Sequence, residues 1–129
     1  MAAGGCLCGA IRYELKGSPL QVANCHCSMC RRHSGAAYLT YVEYPRDQVH
    51  FTGSPAEYRS SANCIRTHCG QCGSPLSFRY DPVPDTIWIT VGSMDDPGAV
   101  EPTAHWYTDD KVRWITLHDD LPKYPAGPP

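Results

Sequence analysis

At 129 residues and a formal charge of −2, the chain reads as one domain spanning 1–129. It carries no basic tail or Lys/Arg run that would neutralise phosphates, so nucleic acid is not an expected partner. Eleven glycines and twelve prolines favour many turns over long helices. Met1-Ala2-Ala3-Gly4-Gly5-Cys6 has no basic n-region and no apolar h-region, so a secretory leader is not expected, and no apolar run nears the roughly 18 residues of a membrane span. The expectation is therefore a cytoplasmic protein with no membrane partner, and its eight cysteines then indicate metal or redox chemistry rather than disulfides.

The first pair is Cys6-Leu7-Cys8-Gly9, preceded by Gly4-Gly5. Neighbours two apart on a regular strand share a face, but their Cβ atoms stand several ångströms apart, so bringing both sulfurs to one ion requires a bent backbone. Flanking glycines permit the bend. Ala10–Leu15 alternates as a half-buried strand, and Leu20–Ala23 leads as a short strand into the densest stretch of the chain.

That stretch is Asn24-Cys25-His26-Cys27-Ser28-Met29-Cys30-Arg31-Arg32-His33. Three thiols so close in sequence converge on one ion at little loop-closure cost, and zinc accepts sulfur at about 2.3 Å in a tetrahedron. Three local thiols leave one corner over. A remote residue there makes a closed structural site, and water or substrate makes a catalytic one.

Downstream, Ala36–Val42 is rich in aromatic and β-branched residues and reads as a strand. Val49–Thr52 and Glu57–Ser60 are expected to form a hairpin around Gly53-Ser54-Pro55, with His50 facing solvent. Cys64–His68 is extended up to Cys69-Gly70-Gln71-Cys72-Gly73. In this knuckle the turn aims both sulfurs at one ion, and the glycine after it allows positive φ. It needs two more ligands, and Cys6 with Cys8 is the orphan pair that matches. Cys6, Cys8, Cys69 and Cys72 thus make a closed four-thiol site that staples the N-terminus to mid-chain. Leu76–Tyr80 and Thr86–Val91 form the next hairpin, the latter as a central core strand. A turn at Gly92–Pro97, strands around Ala104–Tyr107 and Val112–Ile115, and an irregular tail packing through Leu121 and Tyr124 complete the chain.

With both cysteine sets placed, the chain resembles the glutathione-dependent formaldehyde-activating enzyme family, also called the centromere protein V/formaldehyde-activating domain. The residues that carry this are Gly5-Cys6-Leu7-Cys8-Gly9, Cys25 through Gly35, Cys69 through Leu76, Gly92 through Pro97, and the tail around His105 and Leu121-Pro122. The resemblance implies a mainly β fold of several coiled antiparallel sheets with zinc-ribbon-like knuckles, the β-tent, and little helix. It implies a structural zinc on Cys6, Cys8, Cys69 and Cys72, and a more labile catalytic zinc on Cys25, Cys27 and Cys30. It also implies a carbon–sulfur lyase activity that joins formaldehyde to glutathione as S-hydroxymethylglutathione. Small-molecule thiol and aldehyde are then the expected partners.

A zinc on three thiolates is a weak water activator but is well matched to a fourth sulfur, so the site suits delivery of a substrate thiolate to an electrophilic carbon. Arg31 and Arg32 are candidates for a substrate carboxylate, or else offset the anionic cluster or simply stand in solvent. His26 and His33 are weighed as a fourth ligand or as donors to a sulfur; alternation points His26 away from the metal. Cys64 is either a small buried hydrophobe or an alternative ligand. Two readings compete with the enzyme: a zinc-ribbon-like binding module with two structural zincs, which a remote fourth ligand would favour, and a redox-active thiol cluster.

Overall fold

In this computed structural model residues 1–128 are described. The elements run β1 (Ala2–Gly5), β2 (Arg12–Leu15), β3 (Gln21–Cys25), α1 (Ser28–Ser34), β4 (Leu39–Pro45), β5 (Val49–Thr52), β6 (Ala56–Arg59), β7 (Cys64–His68), β8 (Pro75–Tyr80), β9 (Thr86–Thr90), β10 (His105–Trp106) and β11 (Lys123–Tyr124). The protein is mainly β, as expected. A three-stranded sheet has the order β1-β2-β5, and an eight-stranded sheet the order β11-β10-β3-β4-β9-β8-β7-β6. All pairings are antiparallel except those of β10, which lies parallel to both β3 and β11.

Alternation along the strands of the large sheet gives it two different faces. On one face Val22, Val42, Tyr44, Ile87 and Ile89 meet Tyr13 and Leu15 of the small sheet in the main core. Each fully buried aliphatic side chain there is worth about 1.5–3 kcal/mol. On the other face Ala23, Cys25, Tyr41, Trp88 and Trp106 cluster with Cys30 of α1. Register ties one row of this second face together across six strands: Gln21, Glu43, Trp88, Phe78, Arg66 and Tyr58 stand opposite one another in turn.

Local expectations fared unevenly. The Leu76–Tyr80 and Thr86–Val91 hairpin forms as β8 and β9, and His50 is exposed. The Val49–Ser60 hairpin does not form: β5 pairs with β2, and β6 with β7 in the other sheet. The chain changes sheets at Gly53, where φ is +90° and a Cβ would come within 2.7 Å of the Ala10 carbonyl oxygen. Only glycine makes that crossing without strain. Val112–Ile115 is a turn, closed by Ile115 N–H donating to the Val112 carbonyl at 3.0 Å, and not a strand. The tail, in contrast, supplies β11.

Candidate metal centres and the cleft

The two knuckles of the first cluster are built alike. Gly9 N–H donates to the Cys6 carbonyl at 3.2 Å and Gly73 N–H to the Cys69 carbonyl at 2.9 Å, with Gly9 at φ +81° and Gly73 at φ +80°. Backbone N–H groups point at the sulfurs, from Ile11 to Cys6 Sγ at 3.2 Å and from Gln71 and Cys72 to Cys69 Sγ at 3.4 Å each. Leu7 N–H donates to Ser74 Oγ at 2.9 Å and so joins one knuckle to the other. Cys6 Sγ lies 3.6 Å from Cys8 Sγ, which lies 3.8 Å from Cys69 Sγ. Zinc–sulfur bonds of about 2.3 Å in a tetrahedron place sulfurs about 3.8 Å apart, so these four thiols fit a zinc ion.

The second cluster is assembled where a strand becomes a helix. Cys25 ends β3 and is buried. Cys27 caps α1, its sulfur accepting from Cys30 N–H at 3.3 Å. Cys30 lies in the first turn and is also buried. Gly35, at φ 72°, closes the helix by donating to the Arg31 carbonyl. The three sulfurs lie within 4.8 Å of one another, and among the described residues no other His, Cys, Asp or Glu ligand atom joins them. Hydrogen bonds from Cys25 and Cys30 hold the Cys27 thiol far below its usual range, whereas Cys25 is pushed up by its bonds to Cys27 and Cys30 and by burial. Crowding makes it costly to ionise all three thiols together until a cation takes up the charge, and three sulfur donors suit a soft divalent metal.

A buried cation already stands beside this trio. Arg66 is only 5% exposed. Its Nη1 donates to the Tyr41 hydroxyl at 3.0 Å and points at Cys30 Sγ from 3.7 Å, and its Nε donates to Ser60 Oγ at 3.2 Å. The guanidinium also lies 5.2 Å from the Phe78 ring centroid, within cation–π range. Burial opposes its charge, but Tyr41 and the thiolates outweigh that and raise its pKa.

Sulfurs and guanidinium sit on the floor of a cleft of about 750 Å³, walled by Phe78, Trp88 and Trp106 and rimmed by Met29, Tyr80 and Tyr107. Cys64 lines it too, half-buried, but belongs to neither cysteine group. Arg31 and Arg32 lie in the last turn of α1, where positive charge complements the helix dipole, and neither lines the cleft.

His26 is fully buried and turned toward β10. Its Nε2 lies 3.1 Å from His105 Nδ1, and His105 Nε2 lies 2.9 Å from Asp119 Oδ2. Because a carboxylate only accepts, His105 donates through Nε2, and with a neutral His105 ring the hydrogen bond between the two histidines is donated by His26. This relay fastens the cysteine loop to the C-terminal tail. Burial, with the charges of His105 and Lys111, pushes His26 down to about 4, and burial with Arg66 does the same to His33. Sequence reasoning missed Arg66, Tyr41 and Asp119. An arginine alternating with Cys64 on a short strand carries no signal until the register places it opposite Phe78.

Fold and site together define a class of small, mainly β proteins with one closed and one incomplete group of cysteines, each of which could hold a metal ion. Within it, the chain belongs to the family described as glutathione-dependent formaldehyde-activating enzyme, which it matches over residues 1–110. An uncharacterized lyase of Schizosaccharomyces pombe is 29% identical over 77 residues, 60% of this chain, and the match spans 56% of that protein's length. A crystal structure of a Rhodobacter sphaeroides protein shares the fold, with a TM-score of 0.60 at 17% identity over 94% of this chain and 98% of that one. Among the described residues no helix is long and apolar enough to cross a membrane.

Proposed function

We propose that the chain is a zinc-dependent carbon–sulfur lyase-type enzyme that adds a small thiol of the glutathione type to a small aldehyde such as formaldehyde. Family membership and the lyase name of the yeast relative support lyase-type chemistry. The observation that carries the reading is the group of three thiols, with no fourth protein donor among the described residues, on the floor of a cleft. Zinc held by Cys25, Cys27 and Cys30 would supply a Lewis-acid position that keeps a substrate sulfur deprotonated. The protein's own groups do the rest. Arg66 offsets the anionic cluster and holds Cys30 by a charge-assisted hydrogen bond. Tyr41, with its pKa raised well above the ordinary value by burial, stays a neutral hydroxyl that fixes the guanidinium. Trp88 and Trp106, packed edge to face with centroids 5.0 Å apart, give the floor an apolar wall. Cys6, Cys8, Cys69 and Cys72 would hold the second, structural zinc.

Thiols add to formaldehyde without a catalyst, so turnover has to be measured against the Cys27→Ser variant. A rate well above that variant, with binding of a small thiol that requires a metal-loaded second site, supports the reading. Equal rates, with thiol binding indifferent to Cys27→Ser, would leave a non-catalytic binding module.

A further inference from the structure

Glutathione is a polar molecule with two carboxylates and one ammonium, and a peptide unit separates its thiol from either carboxylate. The cleft is built differently. Met29, Tyr80, Val83 and Tyr107 are large apolar or aromatic side chains left exposed, and all four stand around this one opening. Below them the Phe78 and Trp88 rings lie stacked with centroids 5.7 Å apart and planes at 1°. Of the two carboxylates in the lining, Glu43 already accepts from Gln21 and Thr86, and Asp110 is exposed at the mouth.

The deep end holds Arg66, the lone basic side chain among the described residues that line the cleft. Its Nε and Nη1 are committed to Ser60, Tyr41 and Cys30, whereas Nη2 makes no hydrogen bond to any described residue. A buried guanidinium with an idle donor is suited to one anionic oxygen, since such charge-assisted bonds are among the strong ones. Nη1 is 3.7 Å from Cys30 Sγ, so an anion on Nη2 sits only a few bonds' reach from a sulfur docked at the thiol trio.

We infer that the cleft takes an aryl carboxylic acid, its carboxylate on Nη2 of Arg66 and its ring against Phe78 and the Tyr80–Tyr107 rim. Resting on the thiol-addition reading, this narrows the co-substrate to an aryl-bearing mercapto acid whose sulfur and carboxylate are separated by a short saturated link. Apolar contact supplies most of the affinity, and Arg66 supplies the preference for an acid.

Thiol-free probes test this apart from the reaction. Calorimetry on the zinc-loaded protein compares hydrocinnamate, its neutral isostere hydrocinnamyl alcohol, and S-methylglutathione. Hydrocinnamate should bind about tenfold more tightly than either, the size expected of one hydrogen bond to a charged group. Arg66→Met should abolish the acid-over-alcohol preference while alcohol binding persists, which also reports that the variant is folded. Should Arg66→Met not fold, Tyr107→Asn, at an exposed position with φ 59° that asparagine tolerates, should weaken acid and alcohol alike. Cys27→Ser should lose thiol binding and keep hydrocinnamate. S-methylglutathione binding tightest, an unchanged acid-to-alcohol ratio in Arg66→Met, Tyr107→Asn leaving both affinities unchanged, or hydrocinnamate lost with Cys27→Ser would each overturn the inference. Thiol binding that survives Cys27→Ser would instead sink the thiol-addition reading alone.

Discussion

The two cysteine groups differ in a way that exposure alone would misjudge. The four-thiol group has Cys6 and Cys69 buried and Cys8 exposed, its donors fill every corner of a tetrahedron, and backbone N–H groups crowd its sulfurs. The three-thiol group has Cys25 and Cys30 buried, yet it faces a cleft and has only three donors. Donor count and the open space beside the thiols, not distance from solvent, set the two groups apart. Local construction follows the same division. Two glycine turns sewn together by Ser74 give a closed knot, whereas a strand end and a helix cap leave one side of the trio facing the aromatic floor.

Four experiments put this contrast to the test. The largest effect belongs to Cys69→Ser. A structural zinc contributes on the order of 10 kcal/mol or more to folding, so this variant should be recovered unfolded or aggregated, as circular dichroism and solubility would report. Cys27→Ser should keep the wild-type spectrum while zinc analysis finds the second metal missing. Retention of both metals by this variant would erase the distinction. Arg66→Met comes next and should lower second-site zinc affinity about 10- to 100-fold, as loss of an outer partner of a ligand does, without touching the four-thiol zinc. By competition against a chromophoric chelator, equal weakening of both sites would remove Arg66 from the account. Arg32→Glu is the smallest: with the side chain outside the cleft, affinity for an anionic thiol should shift less than about twofold, the scale of an exposed charge.

Acid should separate the regions as well. Burial holds His26 at about 4 against an ordinary 6.5, so the unfolded chain takes up a proton that the folded protein refuses. Stability is therefore full above about pH 6.5 and falls as pH drops toward about 4. Melting temperatures across that range should decline less steeply in His26→Gln, starting from a lower plateau because the bond to His105 is lost. An identical slope would mean that thiolate protonation alone governs acid sensitivity.

Much of this site was legible in sequence because ligand spacing is local chemistry. Cys-x-x-Cys-Gly specifies its own turn, and the orphan pair at Cys6 and Cys8 had a natural match. Strand identity was also readable for Thr86–Thr90, an apolar run bounded by turns. Pairing was not. The Val49–Ser60 hairpin looked favourable locally, but its first strand finds more burial against Tyr13 and Leu15 in another sheet, and periodicity cannot choose between partners. Arg66 was hidden for a related reason: its role arises from a row of six residues on six strands. The relay from Asp119 to His26 joins residues 93 positions apart, which no local pattern encodes. Helix α1 also went unread, since its cap is a cysteine and its seven residues are too few to show a period.

The most direct measurement is a crystal structure of the reduced protein recorded at the zinc absorption edge, with and without a bound thiol. The account predicts two anomalous peaks, one ringed by Cys6, Cys8, Cys69 and Cys72 at full occupancy. The other should lie among Cys25, Cys27 and Cys30 at variable occupancy, its fourth neighbour a solvent or thiol atom on the cleft side. A second peak closed by a protein side chain such as Cys64 or His33, or disulfides in place of either peak, would contradict it.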